Sequence, residues 1–170
     1  IWRHPFPGPG LGVRILCAAG SEELPGGSTT RDVGLPHRIL PLRSVGVQGD
    51  ARTYRHAIAL FSPQRSVEEV HVELARSIPN RLKDFNRVLL CTSHAEPVDF
   101  EVVPGGITLQ RADLLREVDA IVDEEMRSAE LYRRIWQFPV VLLPLAIRGE
   151  GSSYGDARQG GQSVVLRPVE

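Results

Sequence analysis

The sequence predicts an α+β fold, on three observations. Short apolar runs bounded by glycine, proline and polar residues recur along the chain. Two longer segments carry apolar residues at helical spacing. A strand-strand-helix-strand order begins twice. The 170 residues are about one domain's worth and enough to bury a sizeable core. Hydrophobic residues at 42% and charged residues at 24% are ordinary for a globular protein. The longest apolar candidate, Pro139–Ile147, is far short of a membrane span and is interrupted by Pro144. With 20 basic and 21 acidic residues the formal charge is -1, which removes electrostatic drive toward nucleic acid or an anionic membrane. Lys83 is the single lysine, a bias that reads as genomic composition.

The strand candidates, in order, are Gly12–Cys17, Ile39–Val47, Thr53–Phe61, Arg87–Thr92, Val140–Ile147 and Ser163–Val169, all rich in Val, Ile and Leu. A first helix is expected over Val67–Leu82. Ser66 and Glu69 have capping-box spacing, Val67, Val70, Leu74, Ile78 and Leu82 share one face, and Pro79 should kink or shorten the helix. A second helix is expected over Leu109–Arg134, with Ala112, Leu115, Val118, Val122, Met126, Ala129 and Tyr132 as its apolar stripe over a sheet. Three glycine- and proline-rich stretches punctuate the chain: Pro5–Gly10, Gly20–Pro36 and Gly149–Gly161.

An internal echo organises these elements. Leu40-Pro41-Leu42-Arg43 is matched by Leu143-Pro144-Leu145-Ala146, and Gly49-Asp50-Ala51-Arg52 by Gly155-Asp156-Ala157-Arg158. The first copy continues into a helix and a strand. The second is only opened, so the chain reads as a piece of a longer polypeptide that continues past Glu170 with a helix and a strand. The division expected is residues 1–104, a junction loop with the first module, and residues 105–170, the long helix with the opening strands of a second, incomplete module.

Common catalytic patterns find little support. His4, His37, His56, His71 and His94 show no metal-binding spacing and read as surface or hydrogen-bonded histidines. Cys17 and Cys91 have no C-x-x-C partner and read as buried small hydrophobes in a reducing compartment. Pro25–Thr30 lacks the lysine of a phosphate loop and reads as a flexible connection. Two loops have better credentials. His4–Gly10 alternates proline with glycine, which suits either a domain joint or a rigid anion cradle. Gly46–Arg52 joins two strands of a hairpin. Its Asp50 and Arg52 could form an ion pair in a turn. Alternatively Asp50 could accept from ring N–H or ribose hydroxyl groups while Arg52 forks onto phosphate.

Arg3-His4-Pro5-Phe6-Pro7-Gly8-Pro9-Gly10-Leu11, followed by Val13-Arg14, resembles the junction that opens the C-terminal dimerisation domain of glutamine-hydrolysing GMP synthases. Leu40 to Tyr54, with its G-V-Q-G-D-A-R core, is similar to that family's second signature. Asn86–Leu89, Leu109–Arg134 and Trp136–Val140 resemble later strand and helix segments of the same domain. The arrangement is that of the long form, in which the dimerisation module is duplicated. The resemblance implies antiparallel sheet with helices packed on one face. It implies a cytoplasmic ligase of purine biosynthesis that adenylates xanthosine monophosphate (XMP) with ATP and magnesium and then aminates it to GMP. Carried over to matching positions, Asp50, Arg52 and Gln137 would bind XMP, with no catalytic or metal-ligating residue among them.

Departures from the family pattern limit this. No S-G-G-x-D-S loop or glutaminase cysteine motif is present, so ATP and Mg2+ are expected on a separate ATP pyrophosphatase domain, with no cofactor held by these residues. The family's K-P-P tail has no match, and His94 stands where its lysine would fall in the first copy. Asp156 and Arg158 follow a longer glycine-rich loop and are assigned no role. The isolated piece is expected to be inactive. Its partners would be XMP and the pyrophosphatase domain, with a homodimer or an internal pseudo-dimer. The alternative is a stand-alone dimerisation module without catalysis. An RNA-binding domain is disfavoured by charge balance and the lack of an aromatic cluster.

Overall fold

The structure is a computed structural model, which describes residues 10–26, 33–48, 51–148 and 161–169. The chain is α+β, as expected, and divides into two compact units. The first comprises Gly20–Val102 with Ile147–Gly151, and the second Ile1–Ala19, Val103–Ala146 and Ser152–Glu170. Gly10–Ala19 belongs to the second unit, and the chain passes from the first unit to the second at Val103.

In the first unit β1 (His37–Gln48) and β2 (Ala51–Leu60) form a long antiparallel hairpin, followed by α1 (Glu69–Arg81), β3 (Phe85–Leu90) and β4 (Phe100–Val102). The order in the sheet is β1-β2-β3. β3 runs parallel to β2, with Ile58 opposite Val88 and Leu60 opposite Leu90. The sheet is therefore mixed rather than wholly antiparallel. A helical crossover returns the chain to the end from which β2 started, so the next strand must run the same way. Val33, Ile58, Leu60, Ile78 and Phe85 form the core, and Leu74 and Leu82 pack onto it.

The Ser66–Glu69 capping box does not form. α1 starts later, and the Glu68 N–H donates to His71 Nδ1 at 3.0 Å. Val67, outside the helix, is left 70% exposed. Pro79 is accommodated in the last turn, and α1 stops at Arg81.

In the second unit the expected strand Gly12–Cys17 is instead a 3-10 turn, Leu11–Arg14, followed by a parallel bridge between Ile15 and Leu142. Arg14 explains the turn: its guanidinium grips Asp119 through two bonds of 2.8 and 3.0 Å and reaches the Val140 carbonyl. α2 (Leu109–Ser128) is capped by Thr108, whose Oγ1 accepts from the Arg111 N–H at 3.2 Å. It ends six residues before the expected Arg134. Glu130 takes a left-handed φ of 58°, and the Leu131 and Tyr132 amides both fold back onto the Met126 carbonyl. Ala112 and Leu115 of the expected stripe join Ile15, Val140 and Leu142 in the core, with Val118 and Val122 packed against it.

The expected strand Val140–Ile147 is broken at Pro144 into β5 (Val140–Leu142) and β6 (Leu145–Ile147). β7 (Val164–Leu166) pairs antiparallel with β5. Both cysteines depart from expectation: Cys17 is exposed and Cys91 half-buried.

The sequence echo is also an echo of register. Continuing the alignment of the two Leu-Pro-Leu strings and the two Gly-Asp-Ala-Arg strings matches His37, Ile39, Ile58 and Leu60 with Val140, Leu142, Val164 and Leu166. The strands pair accordingly: His37 with Leu60 and Ile39 with Ile58 in one hairpin, Val140 with Leu166 and Leu142 with Val164 in the other. The match extends to single bonds. Phe61 N–H donates to Pro36 O, and Arg167 N–H to Pro139 O. Past this ladder the first hairpin shifts register between Ile39 and Arg43, around Pro41. The Pro41 carbonyl accepts from Glu22 N–H, as the Pro144 carbonyl accepts from Val103 N–H.

Candidate functional site: the distal arms of the first hairpin

Beyond His56 the first hairpin outruns its sheet. β3 pairs with His56–Leu60 only, leaving Ser44–Gln48 and Ala51–Arg55 as a two-stranded extension. Such a ribbon is marginal without support. The arms pair in register to Gln48 opposite Ala51, with only Gly49 and Asp50 between them. Arg52 is exposed and sits opposite Val47. Val45, Val47 and Tyr54 are also exposed, at 54%, 74% and 57%.

Support comes from the start of β3. Phe85 pairs with His56 and Arg87 with Ala57, so Asn86 is an extra residue, a β-bulge. Bulges re-aim a side chain. Here Asn86 Nδ2 donates to the Ser44 carbonyl at 2.7 Å and lies 3.3 Å from both the carbonyl and Oγ1 of Thr53. Arg87 adds bonds to Ser44 Oγ at 3.1 Å and to the Val45 carbonyl at 2.7 Å. Gly46 permits this approach, because a Cβ there would lie 2.8–2.9 Å from the Asn86 side chain.

A second polar feature lies nearer the sheet. His56 is 3% exposed, with Nδ1 at 3.1 Å from the Leu40 carbonyl and Nε2 at 3.1 Å from the Glu23 carbonyl and 3.2 Å from Arg43 Nε. An open cleft of about 650 Å3 adjoins it, lined by Glu23, Arg43, Tyr54, Arg55, His56 and Lys83 among others. Gln162, matched with His56 by the echo, accepts from Arg111 Nε at 2.8 Å. Arg111 is 7% exposed and also donates to the Gly106 and Leu16 carbonyls, at 2.9 and 2.7 Å.

Of the sequence-predicted site residues, Arg52 is in the first unit, exposed at the root of the tip. Gln137 is in the second, half-buried, its backbone bridged to Val169 by bonds of 2.8 and 3.2 Å. Asp50, Asp156 and Arg158, and the Arg3–Pro9 part of the junction motif, lie outside the described residues, as do residues 27–32 of the second glycine-rich stretch and 149–160 of the third. The sequence reading missed the roles of Asn86 and Arg87, although Asn-Arg stands in a quoted motif; neither a bulge nor a cross-strand reach leaves a periodic signal. It also missed Arg111, which lies outside the apolar stripe of the helix.

No family model matches the chain. Curated relatives do. A probable glutamine-hydrolysing GMP synthase of Leptospira interrogans is 38% identical over 178 residues, covering 100% of this chain and 28% of its own length. The glutamine-hydrolysing GMP synthase of Dictyostelium discoideum is 29% identical over 196 residues, covering 85% of this chain and 27% of its own. That of Streptomyces avermitilis reaches 52% identity over 67 residues, covering 39% of this chain and 12% of its own. The chain thus spans little more than a quarter of the Leptospira and Dictyostelium relatives. Along its whole length this chain is related to a segment of the glutamine-hydrolysing GMP synthases.

Proposed function

We propose that the chain is the C-terminal, XMP-binding and dimerisation part of a GMP synthase. It would contribute to ATP-dependent amination of XMP to GMP in purine nucleotide biosynthesis. The observation that supports this reading is the hairpin whose arms pair as far as Gln48 and Ala51 and carry Arg52 exposed at that end. An exposed guanidinium on a regular strand can fork onto a phosphate at little reorganisation cost. The Asp50 carboxylate would accept from ring N–H or ribose hydroxyl groups. Gln137, on the second unit, has an amide that both donates and accepts and is the third residue proposed for XMP. These groups bind and orient the nucleotide. Adenylation of its 2-oxygen by ATP with Mg2+, and displacement of AMP by ammonia, belong to an ATP pyrophosphatase domain as partner. Among the described residues no helix is long and apolar enough to cross a membrane, and a cytoplasmic place fits that enzyme.

In the natural full-length polypeptide, Asp50→Ala should raise the KM for XMP about tenfold to a hundredfold. That is the equivalent of about 1.5–3 kcal/mol for a lost charge-assisted hydrogen bond. An unchanged KM removes Asp50 from the site. The dimerisation role is tested by sedimentation equilibrium of the same polypeptide.

A further inference from the structure

We infer that Asn86, seconded by Arg87 and Gly46, is a positioning residue for nucleotide binding: it clamps the two-stranded extension of the β1–β2 hairpin to β3 and so fixes the strand that carries Arg52. The inference rests on the XMP reading above and deepens it.

Four observations converge on it. The arms Ser44–Gln48 and Ala51–Arg55 pair with each other but extend past the last residue that β3 pairs, so the ladder to β3 does not tie them to the rest of the sheet. Asn86 is the bulged residue of β3, turned out of the ladder with its amide against both arms at once: Ser44 on one, Thr53 on the other. Gly46 brings the arm so close that any side chain there would displace Asn86. Finally, Asn86 Oδ1 is buried with no hydrogen-bond partner among the described residues. An orphaned buried acceptor costs stability. A residue chosen only to stabilise the sheet would not carry that cost, whereas one chosen to aim two donors at two strands must leave its oxygen somewhere. The amide orientation follows from the same network, because the reverse would set Oδ1 against carbonyl oxygens. Arg87 ties down Ser44 and Val45, so the β1 arm is held twice.

The test uses the natural full-length polypeptide with Asn86→Ala, Asn86→Asp and Gly46→Ala. Aspartate keeps the volume of asparagine but sets an acceptor against the Ser44 and Thr53 carbonyls, so a clamp predicts loss; urea titration of each variant separates that loss from unfolding. The expected result is a KM for XMP raised about tenfold in all three, kcat within about twofold, and the KM for ATP unmoved. Amide exchange should quicken at 44–48 and 51–55. Gly46→Ala should add little in the Asn86→Ala background, where the added methyl occupies the vacated space. Wild-type KM for XMP in Asn86→Asp, with Asp50→Ala still impaired, overturns the inference alone. Wild-type KM in Asp50→Ala and Arg52→Ala overturns the nucleotide reading and this inference with it.

Discussion

The two hairpins share a register and differ in what they do with it. Both start after a proline whose carbonyl accepts from the far strand, and both send the carbonyl of a second proline to an amide outside the hairpin. Both place a polar side chain, His56 or Gln162, where an arginine Nε donates to it. In the first hairpin that arginine is Arg43, on the strand itself and 39% exposed; in the second, Ala146 stands at the matching place and α2 supplies the buried Arg111. The first hairpin then runs on into a two-stranded ribbon paired as far as Gln48 and Ala51. In the second, β5 and β7 pair over three residues each. One backbone solution thus serves two purposes: conserved geometry in the ladder, and divergent side chains where function or packing asks for them.

That contrast can be broken at several points. Phe85→Ala should destabilise the first unit most, by about 3–5 kcal/mol, because Phe85 is fully buried against Ile58 and Ile78; urea titration with exchange protection of β2 and β3 reads it. Arg111→Ala should cost about 3 kcal/mol through the carbonyls and Gln162 left unsatisfied, seen as lost protection in α2 and β7. Arg43→Ala, at the matching slot but half-exposed, should cost only about 1 kcal/mol. Equal losses at Arg43 and Arg111 would refute the claim that the slot is surface-held in one copy and buried in the other. Pro41→Ala and Pro144→Ala should each cost about 0.4–1 kcal/mol, chiefly by freeing the unfolded chain.

Much of this was legible in the sequence. Ile39–Val47 and Thr53–Phe61 announced a hairpin because β-branched runs met at Gly49-Asp50. The Leu-Pro-Leu echo announced a second opening of the strand-strand unit; that the two share a register is visible only in the pairing. What was not legible is tertiary. Gly12–Cys17 looks like a strand until Asp119 is available to pull Arg14 into a turn. Ser66 and Glu69 have capping-box spacing, yet Glu68 and His71 take that role. The bulge at Asn86 depends on a parallel partner that arrives by a crossover, and nothing in Asn-Arg-Val-Leu signals it. The exposure of Cys17 likewise follows from the turn that replaced its strand.

The account stands or falls on the tip. Equilibrium titration of XMP against the natural full-length polypeptide, wild type and Arg52→Ala, measures it without catalysis. The account predicts a dissociation constant at least tenfold higher in the variant, with Arg52→Lys intermediate because an ammonium keeps the charge and loses the fork. Equal dissociation constants in the three proteins would contradict it.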